Sequence, residues 1–254
     1  MKNKVIFKTI AVLCAFASIV SLCKTVKIGY EYKHGEKEYS ELADLLVSKA
    51  DNSIYVSQKE APSTGAPVDV DFDMLQKMNA EAVGWLYCEG TPINYPVVQS
   101  TDNSYYLNHL YDDQTNSSGA IFMDAMNSSD LSDANTIIYG HNMKNGTMFA
   151  SLQNYDKQSY YEQHPVMYYM TKEHDYRIDI FASYETSGDS EAFTIFFDSE
   201  QTYSGYLQRV WAKSRIDTSD LPMSVDDNII TLATCSYSFN DARYVVQGKV
   251  TQLN

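Results

Sequence analysis

Apolar residues are distributed along this chain in three patterns, and each predicts a different kind of element. The first is continuous. From Val5 to Cys23 the run holds one charge, Lys8, and its 19 residues are just long enough to cross a bilayer if Lys8 extends toward the headgroups. Lys2, Lys4 and Lys8 crowd the N-terminal flank, which favours a cytoplasmic N-terminus and an exported remainder. Ala15-Phe16-Ala17 also has the small-x-small form of a cleavage site. A cleaved signal peptide therefore stands as the alternative to the retained anchor expected here.

The second pattern is helical. Tyr39, Leu42, Leu45, Leu46 and Lys49 share one face of a helix predicted over 36–50, and Phe72, Leu75 and Met78 share one face of a shorter helix with Asp71 as its N-cap. Between them Ser57 to Pro67, with Pro62, Gly65 and Pro67, reads as a linker. Further on, Tyr203, Tyr206, Leu207, Val210, Trp211 and Ser214 step at helical spacing, with Asp198 and Gln201 in a capping arrangement.

The third pattern is short β-type runs. They fall at 85–88, 95–99, 120–123, 136–139, 166–171, 177–183, 192–197, 229–235 and 243–253. This density of short strands predicts a mainly β domain, a barrel or a sandwich, with one helix inserted before the 229–235 strand.

Charge removes one class of function. The 254 residues carry a net charge of −14, which argues against a phosphate-neutralising surface and hence against nucleic acid as a partner. The 21 tyrosines are accordingly read as half-buried strand residues rather than base-stacking platforms. Of the four cysteines, Cys14 and Cys23 belong to the apolar segment, leaving Cys88 and Cys235 in the exported part. They form either a structural disulfide or one buried thiol and one reactive one. His109, His164 and His174 show no metal-ligand spacing with one another or with the cysteines, so neither a metal nor a cofactor is expected.

The candidate chemistry lies at strand ends. Cys235 closes Ile229–Cys235 and Arg243 opens the next run, with seven residues, Ser236 to Ala242, between them. Read as an antiparallel hairpin, this puts a thiol beside a guanidinium at one end of the sheet. A second strand end runs Asn135-Thr136-Ile137-Ile138-Tyr139 into Gly140-His141-Asn142. A thiolate can attack an amide carbonyl, an imidazole can protonate the leaving amine, and an always-charged guanidinium can hold substrate and oxyanion. The three residue types point to cysteine-dependent acyl transfer.

Thr231-Leu232-Ala233-Thr234-Cys235 resembles the sortase Thr-Leu-x-Thr-Cys signature, Arg243 follows at the family's spacing, and Gly140-His141-Asn142 matches its histidine motif. Val83-Gly84-Trp85-Leu86, Ile93-Asn94-Tyr95-Pro96-Val97-Val98-Gln99, Tyr105-Tyr106-Leu107-Asn108-His109 and Met148-Phe149-Ala150-Ser151-Leu152 are similar to class B sortases. The likeness covers about residues 72–254. It implies a closed eight-stranded β-barrel and a membrane-anchored transpeptidase of Gram-positive type. His141, Cys235 and Arg243 would be its catalytic residues, with Thr234 on the substrate-facing wall. The implied substrates are secreted proteins with a C-terminal sorting motif of the Asn/Ser-Pro-x-Thr-Gly/Asn type. A thioacyl intermediate on Cys235 would pass to a peptidoglycan peptide amine.

The expected organisation is a cytoplasmic start and anchor over 1–23, an extracellular juxtamembrane helix and linker over 24–70, and a catalytic domain over 71–254. Two alternatives remain open from the sequence. One is a cysteine hydrolase on the same fold, the other a surface binding module stapled by a Cys88–Cys235 disulfide.

Overall fold

Residues 229–235 alternate strictly between two apolar environments, and this alternation explains why the barrel has a second layer. A computed structural model of the protein describes residues 2–50 and 65–253, with side chains from residue 13 onward. Eight strands close into a barrel: β3 (Ala82–Tyr87), β4 (Asn94–Val98), β5 (Ile121–Met123), β6 (Asn135–Tyr139), β7 (Val166–Met170), β8 (Asp175–Ser187), β9 (Ile229–Cys235) and β10 (Ala242–Gln252). Their order around the barrel is β10-β8-β7-β3-β4-β5-β6-β9. The β4–β5 and β6–β9 pairs are parallel and the remaining pairs antiparallel. Two short strands upstream, β1 (Val47–Lys49) and β2 (Val68–Val70), pair only with each other.

On β9, Ile230 and Leu232 join the main core, while Ile229 and Ala233 face the helix α4 (Glu200–Lys213). β10 does the same, with Tyr244 and Val246 in the main core and Val245 toward α4, whose buried face is Tyr203, Tyr206, Leu207 and Val210. Polar residues buried in this second layer are paired. Gln247 Nε2 donates to Tyr206 Oη at 2.7 Å and to Thr231 Oγ1 at 2.9 Å, and Thr231 Oγ1 donates to Asn135 Oδ1 at 2.8 Å. Buried amides and hydroxyls satisfied in this way avoid the cost of unpaired burial.

Several predicted elements differ from the observed ones. The anchor and the following helix form one element, α1 (Lys2–Leu46), because nothing between them stops a helix. Beyond the apolar run it carries i,i+4 pairs, Lys27–Glu31, His34–Glu38 and Lys37–Glu41. The helix ends at Leu46 rather than Ala50, where 47–49 pair with 68–70 instead. Tyr39, Leu42 and Leu46 are buried as predicted, but Leu45 is exposed and Lys49 lies on a strand. The second helix, α2 (Phe72–Met78), starts as expected, with Asp71 accepting from Met74 N at 2.8 Å, although Met78 is exposed. Of the predicted linker, positions 57–64 lie outside the described residues.

Residues 192–197 are not a strand. Glu191–Phe193 make a 3-10 turn capped by Ser190, and the carbonyls of Ala192 and Thr194 accept from the buried Asn135 amide rather than from a neighbouring strand. Phe197 then packs on Tyr203 and Tyr206. The cap of α4 is also one residue later than expected, a reciprocal pair between Ser199 and Thr202 in place of Asp198 and Gln201.

Candidate active site

β6 and β9 run parallel with Tyr139 opposite Ala233, so both strands end at the same rim of the barrel. Gly140-His141 leaves β6 where Thr234-Cys235 finishes β9. On the other side of β9 the antiparallel register pairs Cys235 directly with Arg243. Directly opposed residues have their Cβ atoms about 5 Å apart and on the same face. Alternation along β9 places Cys235 on the face of Ala233, turned away from the barrel interior.

The turn after β6 is stitched to β9 at Gly140 and Asn142, the two residues that flank His141. Gly140 N donates to Ala233 O at 3.1 Å, and Thr234 Oγ1 donates to Gly140 O at 2.7 Å. Asn142 Nδ2 donates to Cys235 O at 3.0 Å. Gly140 has no room for a side chain, because a Cβ there would lie 2.5 Å from Ile121 Cδ1 and 2.8 Å from Phe149 Cδ2. The Gly-His-Asn sequence thus has a structural reason: glycine lets the turn lie against the core and asparagine ties it to the cysteine strand.

His141 Nε2 lies 2.8 Å from Leu107 O, in a 3-10 turn over Tyr105–Leu107. A carbonyl can only accept, so Nε2 carries the proton and Nδ1 is the nitrogen left to exchange one. The Arg243 guanidinium is held at two of its nitrogens, by Asp241 Oδ1 at 2.8 Å and by Ala242 O at 3.2 Å. Asp241 has a positive φ of 58°, which turns the chain sharply into β10.

His141, Thr234, Cys235 and Arg243 all line one open cavity of about 210 Å³, together with Asn103, Leu107, Phe122 and Tyr139. Thr234 is buried with its hydroxyl committed to Gly140 O, so it contributes wall rather than a spare hydrogen bond. Tyr139 donates to Asp124 Oδ2 at 2.9 Å. Burial pushes its phenol well above the ordinary range, the Asp124 charge adds to this and Arg243 opposes it, so Tyr139 stays a protonated donor. Asn103 donates to the same carboxylate oxygen at 2.8 Å. The roles of Asn103 and Leu107 at the cavity, and of Asp241 behind Arg243, have no local sequence signal, because they depend on loop geometry and on contacts distant along the chain. A larger cavity of about 560 Å³ lies by Arg177 and Asp179, but no cysteine or histidine lines it.

Among the described residues all four cysteines are free thiols, which corrects the alternative of a Cys88–Cys235 staple. Cys88 is buried against Tyr155 Oη at 3.9 Å and Val166 O at 3.7 Å. Burial pushes its thiol up to about 11. At pH 7.5 only about one Cys88 thiol in a few thousand is ionised. Iodoacetamide at that pH is expected to alkylate Cys235 and spare Cys88 until the protein is denatured, as read by peptide mass mapping. Equal labelling of both in the folded protein would contradict the separation.

The model of the sortase domain matches residues 86–251. The chain is 38% identical over 231 residues to Sortase B of Listeria monocytogenes, spanning 88% of this chain and 89% of that protein. Among solved structures, a Staphylococcus aureus sortase B–substrate complex matches with a TM-score of 0.69 and 35% identity, covering 72% of this chain and 85% of that one. Sortase B from Bacillus anthracis in complex with AAEK1 matches with a TM-score of 0.74 and 32% identity, covering 89% of this chain and all of that one (100%).

Proposed function

Because this chain belongs to the sortase family, and aligns with sortase B proteins over most of its length, we propose that it is a membrane-anchored cysteine transpeptidase acting on secreted proteins at the outer face of the cell membrane. The observation that carries this reading is the register pairing Cys235 with Arg243 beside a turn that presents His141 to the same cavity.

In the first step Cys235 Sγ, as thiolate, attacks the threonine carbonyl of an Asn/Ser-Pro-x-Thr-Gly/Asn motif. The new C–S bond forms as the C–N bond breaks, and His141 Nδ1 delivers its proton to the departing amine. The carbonyl oxygen, negative while tetrahedral, lies against the Arg243 guanidinium. A peptidoglycan peptide amine then attacks the thioacyl carbon, forming C–N, breaking C–S and returning its proton to His141. Thr234 shapes the wall on which the motif lies.

Within Leu13–Leu46 of α1 lies an 18-residue window apolar enough to cross a membrane. With Lys2, Lys4 and Lys8 retained inside, residues 1–23 form the anchor, 24–70 the juxtamembrane segment and 71–254 the catalytic domain outside. The 13-residue step from Leu22 to Gly35 spans roughly 20 Å of helix, which sets the barrel off the bilayer surface.

A hydrolase would use the same three residues with water as acceptor, so product analysis decides between them. Full-length protein in detergent is incubated with an Asn-Pro-x-Thr-Gly peptide library, with and without triglycine as the amine. The expected product is the triglycine adduct, and its rate should rise with triglycine concentration. The peptide ending in a threonine carboxylate as the only product at every triglycine concentration would instead establish hydrolysis.

A further inference from the structure

The 116–119 turn walls one side of the His141 ring. Gly119 has a positive φ of 58°, and a methyl group built on it would lie 2.6 Å from Tyr106 O, 2.9 Å from Leu107 O and 3.1 Å from His141 Cδ2. The backbone of this turn is therefore packed against both the imidazole and the carbonyl that holds its Nε2. Ala120 N, the next donor along, binds Tyr106 O at 2.9 Å and ties the turn to the same 3-10 segment.

The turn is gripped from its other side by α1. Asn116 Nδ2 donates to Glu31 O at 3.1 Å. Gly35 lies so close to Ser118 that an added Cβ would come within 2.8 Å of its Oγ. Tyr39, buried with its ring against Tyr95 and Tyr111, donates its hydroxyl to Gly119 O at 2.8 Å. Three residues of the helix that continues from the apolar anchor thus contact the turn that backs the histidine.

We propose that Tyr39 is a positioning residue for His141, acting through the 116–119 turn, so that the anchor helix is part of the catalytic apparatus rather than a tether. The inference rests on the role proposed for His141. Removing the hydroxyl leaves Gly119 O buried without its donor and lets the turn, Leu107 and the imidazole relax together. Reactive groups displaced by fractions of an ångström lose rate while ground-state binding is spared.

The test uses full-length protein in detergent with the peptide and triglycine assay. Tyr39→Phe is expected to lower kcat about tenfold with KM within about twofold of the starting value. The NMR signal of the His141 Nε2 proton should shift upfield as its bond to Leu107 O loosens. Gly35→Ala provides a second variant. Alanine is the better helix former, so a matching loss of kcat reports the helix pushed off the turn and not an unfolded helix. Tyr111→Phe, which alters the same aromatic cluster, is expected to leave kcat unchanged. Unaltered kcat and an unmoved Nε2 signal in Tyr39→Phe and Gly35→Ala, with His141→Ala inactive, would overturn the coupling. So would an equal loss in Tyr111→Phe. Full activity in His141→Ala would overturn the proposed chemistry itself, and this coupling with it.

Discussion

Cys235→Ala is expected to lower the rate of peptide cleavage by at least about 10⁴-fold, because no other group can form the thioacyl bond. The substitution is clean on structural grounds. Cys235 closes β9 at the barrel rim, and its neighbours Asn142 and Gln153 bind its carbonyl rather than its sulfur. Removing Sγ therefore leaves the ties between β9 and the histidine turn in place. Circular dichroism and the melting temperature should be unchanged, while single-turnover assays show no acyl-enzyme by intact mass. Cleavage within about a hundredfold of the original rate would exclude Cys235 as the nucleophile. Cys88 offers no substitute, since it is buried within the barrel and its thiol is pushed up to about 11.

What depends on local periodicity is legible in the sequence, and what depends on barrel closure is not. The β9–β10 hairpin is readable because both strands are apolar, adjacent and joined by a short polar loop, and the observed register pairs the two residues expected at its end. The parallel neighbour is harder. Nothing local says that β6 lies beside β9, yet that pairing brings His141 to the cavity. Residues 192–197 mislead for a related reason. They look like a strand, but a distant asparagine, Asn135, takes the carbonyls that a strand neighbour would have used. Hydropathy divides α1 into an anchor and an amphipathic segment because it changes at residue 24, while helix propensity does not. Leu107 lies in a segment that resembles class B sortases, but its service to His141 is not legible there, since it acts through a backbone carbonyl that any residue carries.

Arg243→Lys keeps the charge and changes only its shape, and kcat is nevertheless expected to fall about 10²- to 10³-fold. The guanidinium divides its donors. One terminal nitrogen pairs with Asp241 at 2.8 Å and the other donates to Ala242 O at 3.2 Å, and these contacts fix the plane of the fork at the cavity wall. A planar group with five N–H donors can keep both contacts and still direct a hydrogen bond at an oxyanion. A lysine ammonium has one nitrogen at the end of a flexible stem. Asp241 is the carboxylate paired with this position, so the ammonium is drawn toward it and away from the reacting carbonyl. The pair is partly exposed, and solvent weakens the charge attraction, which leaves geometry as the main contribution of the fork. If Arg243 instead supplied only positive potential, lysine would serve nearly as well. Steady-state kinetics separate the two accounts. A fall in kcat with KM held within a few-fold identifies a contact made in the transition state, whereas rates within about threefold of the original would reduce Arg243 to a background charge.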